Sequence, residues 1–437
     1  MTTLRDELGD VHPAGARLTI ALAVAATVPG VLLRLAGIHV ADPLAAFLFG
    51  LAIVGAAFLL SWAAEVAQLD ISAGLAIAVL ALIAVLPEYA VDFVFAWKGG
   101  NDFEAFGQLC KPAGAVGESN CSLALANMTG ANRLLIGVGW SVVVFIAWYR
   151  ARRTGRPLSG IDLSRPHAVE LSHLALATAY SLFLPLKGSV TLLDAAVLVG
   201  IFVAYTLRVA KAPAEEPHLV GPARYVGTFP TARRRGTVVA LFVVSAAVIL
   251  LVAEEFAEAL VATGEALGVS EFLLVQWLAP LASEAPELLV ATLFAWRLNT
   301  DAGLGTLVSS KVNQWTLLVG TLPIVFALAS ASRHGLPIDA VQREEILLTA
   351  AQSFFAVAIL SNLSISVREA WLLFVLFWAQ FIIGALVPES AHGVERIVVS
   401  IIYVLLGLGI LVRDRQRIPN LIRDGFRTSY AELSRDR

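Results

Sequence analysis

Long apolar runs broken by short polar segments fill the chain. They lie near 18–37, 43–66, 72–97, 122–148, 168–186, 189–208, 236–262, 270–297, 303–331, 344–362, 367–386 and 394–412. Each reaches or approaches the ~20 residues a helix needs to cross a bilayer. Backbone polar groups in lipid must bond within their own segment, which selects helices, and the alternation of a β-barrel strand is absent. The pattern predicts an all-α integral membrane protein with about twelve transmembrane helices.

Loop charges orient these helices. Arg150, Arg152, Arg153, Arg156 and Arg165 follow the fourth run. Arg208, Lys211, Arg224, Arg233, Arg234 and Arg235 lie between the sixth and seventh, and Arg413, Arg415, Arg417, Arg423 and Arg427 follow the twelfth. Twelve alternating spans put all three clusters on one side with Arg5 and Arg17. By the positive-inside rule that side is the cytoplasm. The expectation is a multi-pass protein of the plasma (inner) membrane with both termini cytoplasmic. The loop 98–121 then faces outward, carrying Asp102, Glu104, Lys111 and Glu118. The loop 332–343, with Arg333 and Arg343, is the exception to the rule.

The two halves share a signature. PEYAVDFVFAWK runs from Pro87 to Lys98 and PELLVATLFAWR from Pro286 to Arg297, an offset of 199 for both Glu88/Glu287 and Trp97/Trp296. The signatures sit in the third and eighth spans. Five spans of separation is odd, so the two helices run in opposite directions, the sequence mark of inverted repeats in a secondary transporter. The competing account is chance similarity between apolar helices; against it, Pro-Glu and a terminal Trp-basic pair are uncommon in lipid-facing helices.

A carboxylate near the bilayer centre is costly and reads as functional. Each proline also removes an N–H and clashes with the carbonyl four residues back, at Ile83 and Ala282, freeing a backbone oxygen within a turn of each glutamate. Carboxylates beside freed carbonyls suit hard cations such as sodium or calcium. Ser283 and Glu284 lie four and three residues before Glu287, and Asp92 four after Glu88, on the same helix faces. The plainer alternative is a structural network in which these carboxylates pair with basic side chains.

Composition narrows the classes further. The chain of 437 residues is 58% hydrophobic and 15% charged, with mean hydropathy +0.78. A formal net charge of −3 and the lack of a basic patch among stacking aromatics argue against a nucleic-acid partner. No H-E-x-x-H and no Walker loop appears, against a zinc hydrolase or an ATP-driven pump. An intramembrane hydrolase using the paired carboxylates would lack a nucleophile motif. The first residues, MTTLRDELGDVHPAGAR, do not read as a cleaved signal peptide. Cys110 and Cys121 bracket an insertion in the outward loop, and two readings stand: a disulfide, or a pair of unrelated thiols. Glu65, Glu254, Glu255 and Glu258 either line an aqueous path or form a solvated face. Trp97, Trp148, Trp296 and Trp371 near span ends read as an aromatic belt.

These residues resemble the sodium/calcium exchanger family, within the cation/calcium antiporter superfamily. In that family each repeat carries a G-T-S-x-P-E/D motif on one helix and G-N-x-x-G-S-N on the next. Here EALGVSEFLLVQWLAPLASEAPELLVATLFAWR followed by LGTLVSSKVNQW is similar, as are IAVLPEYAVDF and LANMTGANRLLIGVGW. The resemblance implies two inverted repeats of five helices plus one extra helix at each end. It divides the chain into a cytoplasmic N-terminus and extra helix (1–40), a first repeat (41–209), a basic Pro/Gly-rich cytoplasmic linker (210–235), a second repeat (236–390), and an extra helix with a basic tail (391–437).

Carried over position by position, Glu88 and Glu287 match the acidic metal ligands and Ser283 a hydroxyl ligand. Asn127, Gly130 and Asn132 match the helix after the first acidic motif, Ser310 its serine in the second repeat, and Gln314 a polar ligand four residues on. The sequence departs from the pattern at Ala84, Val85 and Ala131, and at Glu284, Thr306 and Lys311, the last standing where Asn132 sits in the first repeat. Two readings of Lys311 stand: its ammonium replaces one transported cation and balances Glu284, or it forms a structural pair with Glu284. Arg133 either does similar work or snorkels outward.

The implied function is a secondary active cation antiporter, with alternating access at a midplane site built from the paired Pro-Glu motifs. Its partners are the lipid bilayer and inorganic cations, with no cofactor beyond the transported sodium, calcium or protons. Sodium/proton or calcium/proton antiport is the alternative within the class, and a transport-inactive sensor or scaffold the alternative outside it.

Overall fold

A computed structural model describes residues 13–70, 86–115, 117–155, 157–212, 219, 221–268, 270 and 273–434. The spans are α1 (Pro13–Ala36), α2 (Asp42–Ala67), α3 (Leu86–Phe106), α4 (Asn120–Arg153), α5 (Arg165–Leu186), α6 (Leu192–Val209), α7 (Thr231–Leu267), α8 (Leu274–Trp296), α9 (Thr300–Ala329), α10 (Ala340–Asn362), α11 (Val367–Leu386) and α12 (Glu389–Arg413). All but α3 are long and apolar enough among the described residues to cross a membrane. The protein is therefore an all-α membrane protein. The first part of the third predicted span, 72–85, lies outside the described residues.

One boundary moves well beyond its expected place. The third span was expected to end at 97, but α3 stays helical to Phe106 through the polar stretch KGGNDFEAF. Tertiary packing overrides composition here. A side chain at Gly99 would meet Cys121 at 2.9 Å and one at Gly100 would meet Ala329 at 2.5 Å, so the two glycines admit neighbours that hold the extra turns in place.

Among the described residues three spans contain a wide π-turn: Leu135–Trp140 in α4, Gln314–Leu318 in α9 and Leu274–Leu278 in α8. The first two begin three residues after Asn132 and Lys311 respectively, at the same offset between the halves. π-turns insert a residue into the helical ladder and frequently mark functional segments.

The chain forms two compact units, residues 1–94 with 209–287 and residues 95–208 with 288–437, so each draws on both halves of the sequence. In the first unit α2 packs on α7 and α1, and a short linker helix, Gly221–Gly227, lies against them. Small residues set the spacing: a side chain at Gly55 would strike the Ala23 carbonyl and one at Gly30 the Ala52 methyl. Asp70 accepts a bidentate pair from Arg234 at 2.7 and 2.9 Å and a further bond from Arg235 at 3.0 Å. Arg17 donates to the Tyr225 hydroxyl at 2.8 Å, fixing the linker helix to α1.

The second unit carries two short antiparallel ribbons. β1 (Gly160–Asp162) pairs with β4 (Ser364–Ser366), and β2 (Ser189–Val190) with β3 (Leu336–Pro337). Each ribbon takes one strand from each half of the sequence. A tail helix, α13 (Ile418–Phe426), packs on the start of α5 and the end of α10. The sulfurs of Cys110 and Cys121 are bonded, deciding between the two readings of that pair for the disulfide.

Candidate functional site

The predicted site residues fall into two groups, one in each unit. The first unit holds Glu88, Asp92, Ser283, Glu284 and Glu287. Pro87 stands directly before Glu88, near the start of the described part of α3. Pro286 sits inside α8 and withholds the N–H that would bond the Ala282 carbonyl.

Glu88, Asp92 and Glu284 are fully buried, and Glu287 is half-buried. Glu88 feels the charges of Glu287, Glu284 and Asp92 together. Among the described residues neither oxygen of the Glu88 carboxylate has a hydrogen-bond partner. A buried, crowded carboxylate in that condition demands a cation or a proton. Ser283, buried one turn before Glu287, donates its hydroxyl back to the carbonyls of Ala279 and Pro280 at 3.3 and 3.2 Å. That orientation leaves the hydroxyl lone pairs for an incoming positive charge.

The second unit holds Asn127, Asn132, Arg133, Ser310, Lys311 and Gln314, all buried. The Asn132 amide donates to the Met128 carbonyl at 2.8 Å, turning its oxygen toward Lys311, whose ammonium bonds it at 2.6 Å. The same ammonium reaches the Asn132 carbonyl at 3.2 Å and lies 4.5 Å over the ring of Trp315. Trp315, fully buried in the π-turn of α9, is a residue that the motifs did not single out. Its position one turn after Lys311 was the available signal, because an aromatic face is a natural neighbour for a buried cation.

Arg133 does not snorkel outward. It is buried, pairs with Glu345 at 2.6 Å and donates to the Gln380 amide oxygen. Glu345 also binds Arg396 at 2.7 Å, and Arg396 binds Glu344 at 3.0 Å. This network joins α4, α10, α11 and α12. Glu345 and Arg396 escaped the sequence reading because they lie close to the ends of apolar runs, where a charge is ordinary. Among the described residues no three of His, Cys, Asp or Glu come together in a geometry that holds a metal ion.

The profile of the sodium/calcium exchanger protein family matches residues 43–211 and 237–386. The chain belongs to this family: it is a membrane cation antiporter, and not an enzyme. Among solved structures it is similar to the H+/Ca2+ exchanger CAX, with 41% identity and TM-score 0.84, covering 97% of this chain and 99% of that one. It shares the fold of the Ca2+/H+ antiporter protein YfkE, with 13% identity and TM-score 0.57, over 89% of this chain and 100% of that one. No curated protein sequence matches the chain.

Proposed function

We propose that this protein exchanges calcium for protons, with Glu88 and Glu287 as the metal ligands. The observation that carries this reading is the 41% identity, over 97% of the chain, to the H+/Ca2+ exchanger CAX. The carboxylates of the first unit support it. Glu88, Glu284, Glu287 and Asp92 form a concentration of negative charge that suits a divalent ion. When the metal leaves, a proton is the smallest group that removes the cost of a bare buried carboxylate. Ser283 and the proline-freed Ala282 carbonyl supply neutral oxygens beside Glu287. Within the second unit, Asn127, Asn132, Ser310 and Gln314 are the buried polar residues that match the family's further ligand positions. Lys311 acts as a resident cation, bound by Asn132, which lowers the number of mobile ions the protein must carry. Rocking of helices around a fixed site would present it alternately to each face of the membrane.

The test is calcium uptake into proteoliposomes under imposed pH and sodium gradients. Uptake that follows the pH gradient, collapses with a protonophore and falls to the empty-liposome level in Glu88→Gln and Glu287→Gln supports the proposal. Uptake that follows sodium and ignores pH makes the protein a sodium/calcium exchanger instead. Sodium movement driven by pH, without calcium, makes it a sodium/proton antiporter. Wild-type flux equal to the two variants under every gradient points to an inactive sensor.

A further inference from the structure

The tail helix α13 presents three distinct sides. Its inner side, Leu421, Asp424 and Gly425, is buried. Arg165 grips the Asp424 carboxylate at 3.0 and 3.2 Å, and Arg208 reaches the Gly425 carbonyl at 3.2 Å. The Ser172 hydroxyl bonds the Leu421 carbonyl at 3.2 Å, and a side chain at Gly425 would collide with Ser172. The helix is thus seated in one orientation on the start of α5.

At 100° per residue, Ile418, Ile422 and Phe426 make a second side. Ile422 is 52% and Phe426 43% exposed. Arg423 and Arg427 make the third side and are exposed. Arg415 and Arg417, just ahead of the helix, are exposed as well. Asp424 is occupied by Arg165 and by the Thr428 hydroxyl, with Arg423 at 3.6 Å. Glu432 is the exposed acid among the described residues of the tail after Arg413, against four exposed arginines.

Exposed apolar and basic stripes side by side, on a helix fixed by its remaining side, are the composition of an interfacial helix. Its surroundings point the same way. The exposed apolar stripe of α12, including Ile401, Leu405, Leu408 and Val412, ends a few residues before Ile418. The tail therefore leaves the hydrocarbon region at the end where the arginines of the chain are concentrated. Guanidinium groups pair with phosphate oxygens in a fork that matches both. From these observations we propose that α13 is an interfacial anchor that binds the headgroups of anionic phospholipids. Ile422 and Phe426 enter below the headgroups, while Arg423 and Arg427, aided by Arg415 and Arg417, pair with the phosphates. The contact holds the start of α5 and the end of α10 at a fixed depth.

Amide hydrogen exchange over residues 415–428 tests the anchor in the full-length protein. Nanodiscs of phosphatidylcholine alone are compared with discs that also contain phosphatidylglycerol. About tenfold slower exchange in the anionic discs is expected, from a contribution of ~1 kcal/mol for each basic residue near a charged surface. The difference should shrink with added salt and vanish when Arg415, Arg423 and Arg427 are all changed to Gln. Ile422→Ser with Phe426→Ser should reduce protection in both kinds of disc. Equal exchange of the wild type in the two discs overturns the proposal, whatever the variants do. A difference between discs that survives both salt and the arginine substitutions overturns it equally.

Discussion

The Lys311 ammonium and the Asn132 side-chain oxygen, 2.6 Å apart, belong to corresponding positions of the two halves. Both precede a π-turn by three residues, so the bond joins a residue to its own counterpart. An asparagine at 311 would remove the positive charge beside the Asn132 oxygen and leave a neutral amide in its place. Lysine supplies that charge covalently.

Lys311→Asn should therefore add an ion to the transport cycle. Charge moved per transported cation, read from the reversal potential in proteoliposomes, should change, and the flux should acquire a dependence on a further monovalent cation. Unchanged stoichiometry and selectivity would leave Lys311 with a structural role alone.

The arginine network predicts an ordering of stabilities. Glu345 is buried and holds both Arg133 and Arg396, whereas Glu344 holds Arg396 at a partly exposed position. Glu345→Gln strands a buried guanidinium and should cost about 3–5 kcal/mol. Glu344→Gln removes a more solvated pair and should cost less than about 1 kcal/mol. Thermal unfolding in detergent distinguishes them, and equal shifts would show that the network carries little of the packing energy.

At the edge of the first unit, pH should act through Asp70. The hydrogen bonds from Arg234, aided by Arg235, hold its carboxyl below the usual carboxylate range. A folded value below the unfolded one means the contact contributes stability above the ordinary aspartate value of about 3.9. That stability is lost as pH falls through the folded value. Protection of the first turn of α7, corrected for intrinsic exchange, should hold steady from neutral pH down to about 5 and fall only in stronger acid. In Asp70→Asn the protection should be lower at neutral pH and the acid step absent.

The disulfide ties the loop after α3 to the first turn of α4, the helix that bears Asn127 and Asn132. Closing a loop of sequence separation 11 should contribute about 2–3 kcal/mol. Cys110→Ser with Cys121→Ser should lower the thermal midpoint and expose the loop to proteolysis. Intact mass after alkylation, with and without reductant, verifies the bond in the wild type.

Much of this arrangement is legible in the sequence. The described spans fall within a few residues of the apolar runs at most ends, because lipid leaves a helix few places to stop. Pro87-Glu88 and Pro286-Glu287 stand out because proline and glutamate are both costly there. What is not legible depends on distant partners. Arg133 points inward only because Glu345, 212 positions away, waits for it. The π-turns leave no compositional trace, and Gly-Ile-Asp at β1 becomes a strand only through Ser364–Ser366. The length of α3 is set by what packs on its glycines.

The two ribbons have a consequence for how the chain comes apart. Since β1 finds its partner in β4 and β2 in β3, a polypeptide ending in the linker would present two naked strand edges and half of each compact unit. Such a fragment should be degraded when expressed alone. Co-expressed with the complementary fragment, it should be rescued, the two pieces recognising each other through those four strands. A transporter severed in its linker would then behave as an obligate heterodimer, and the linker as a tether that sets stoichiometry rather than shape.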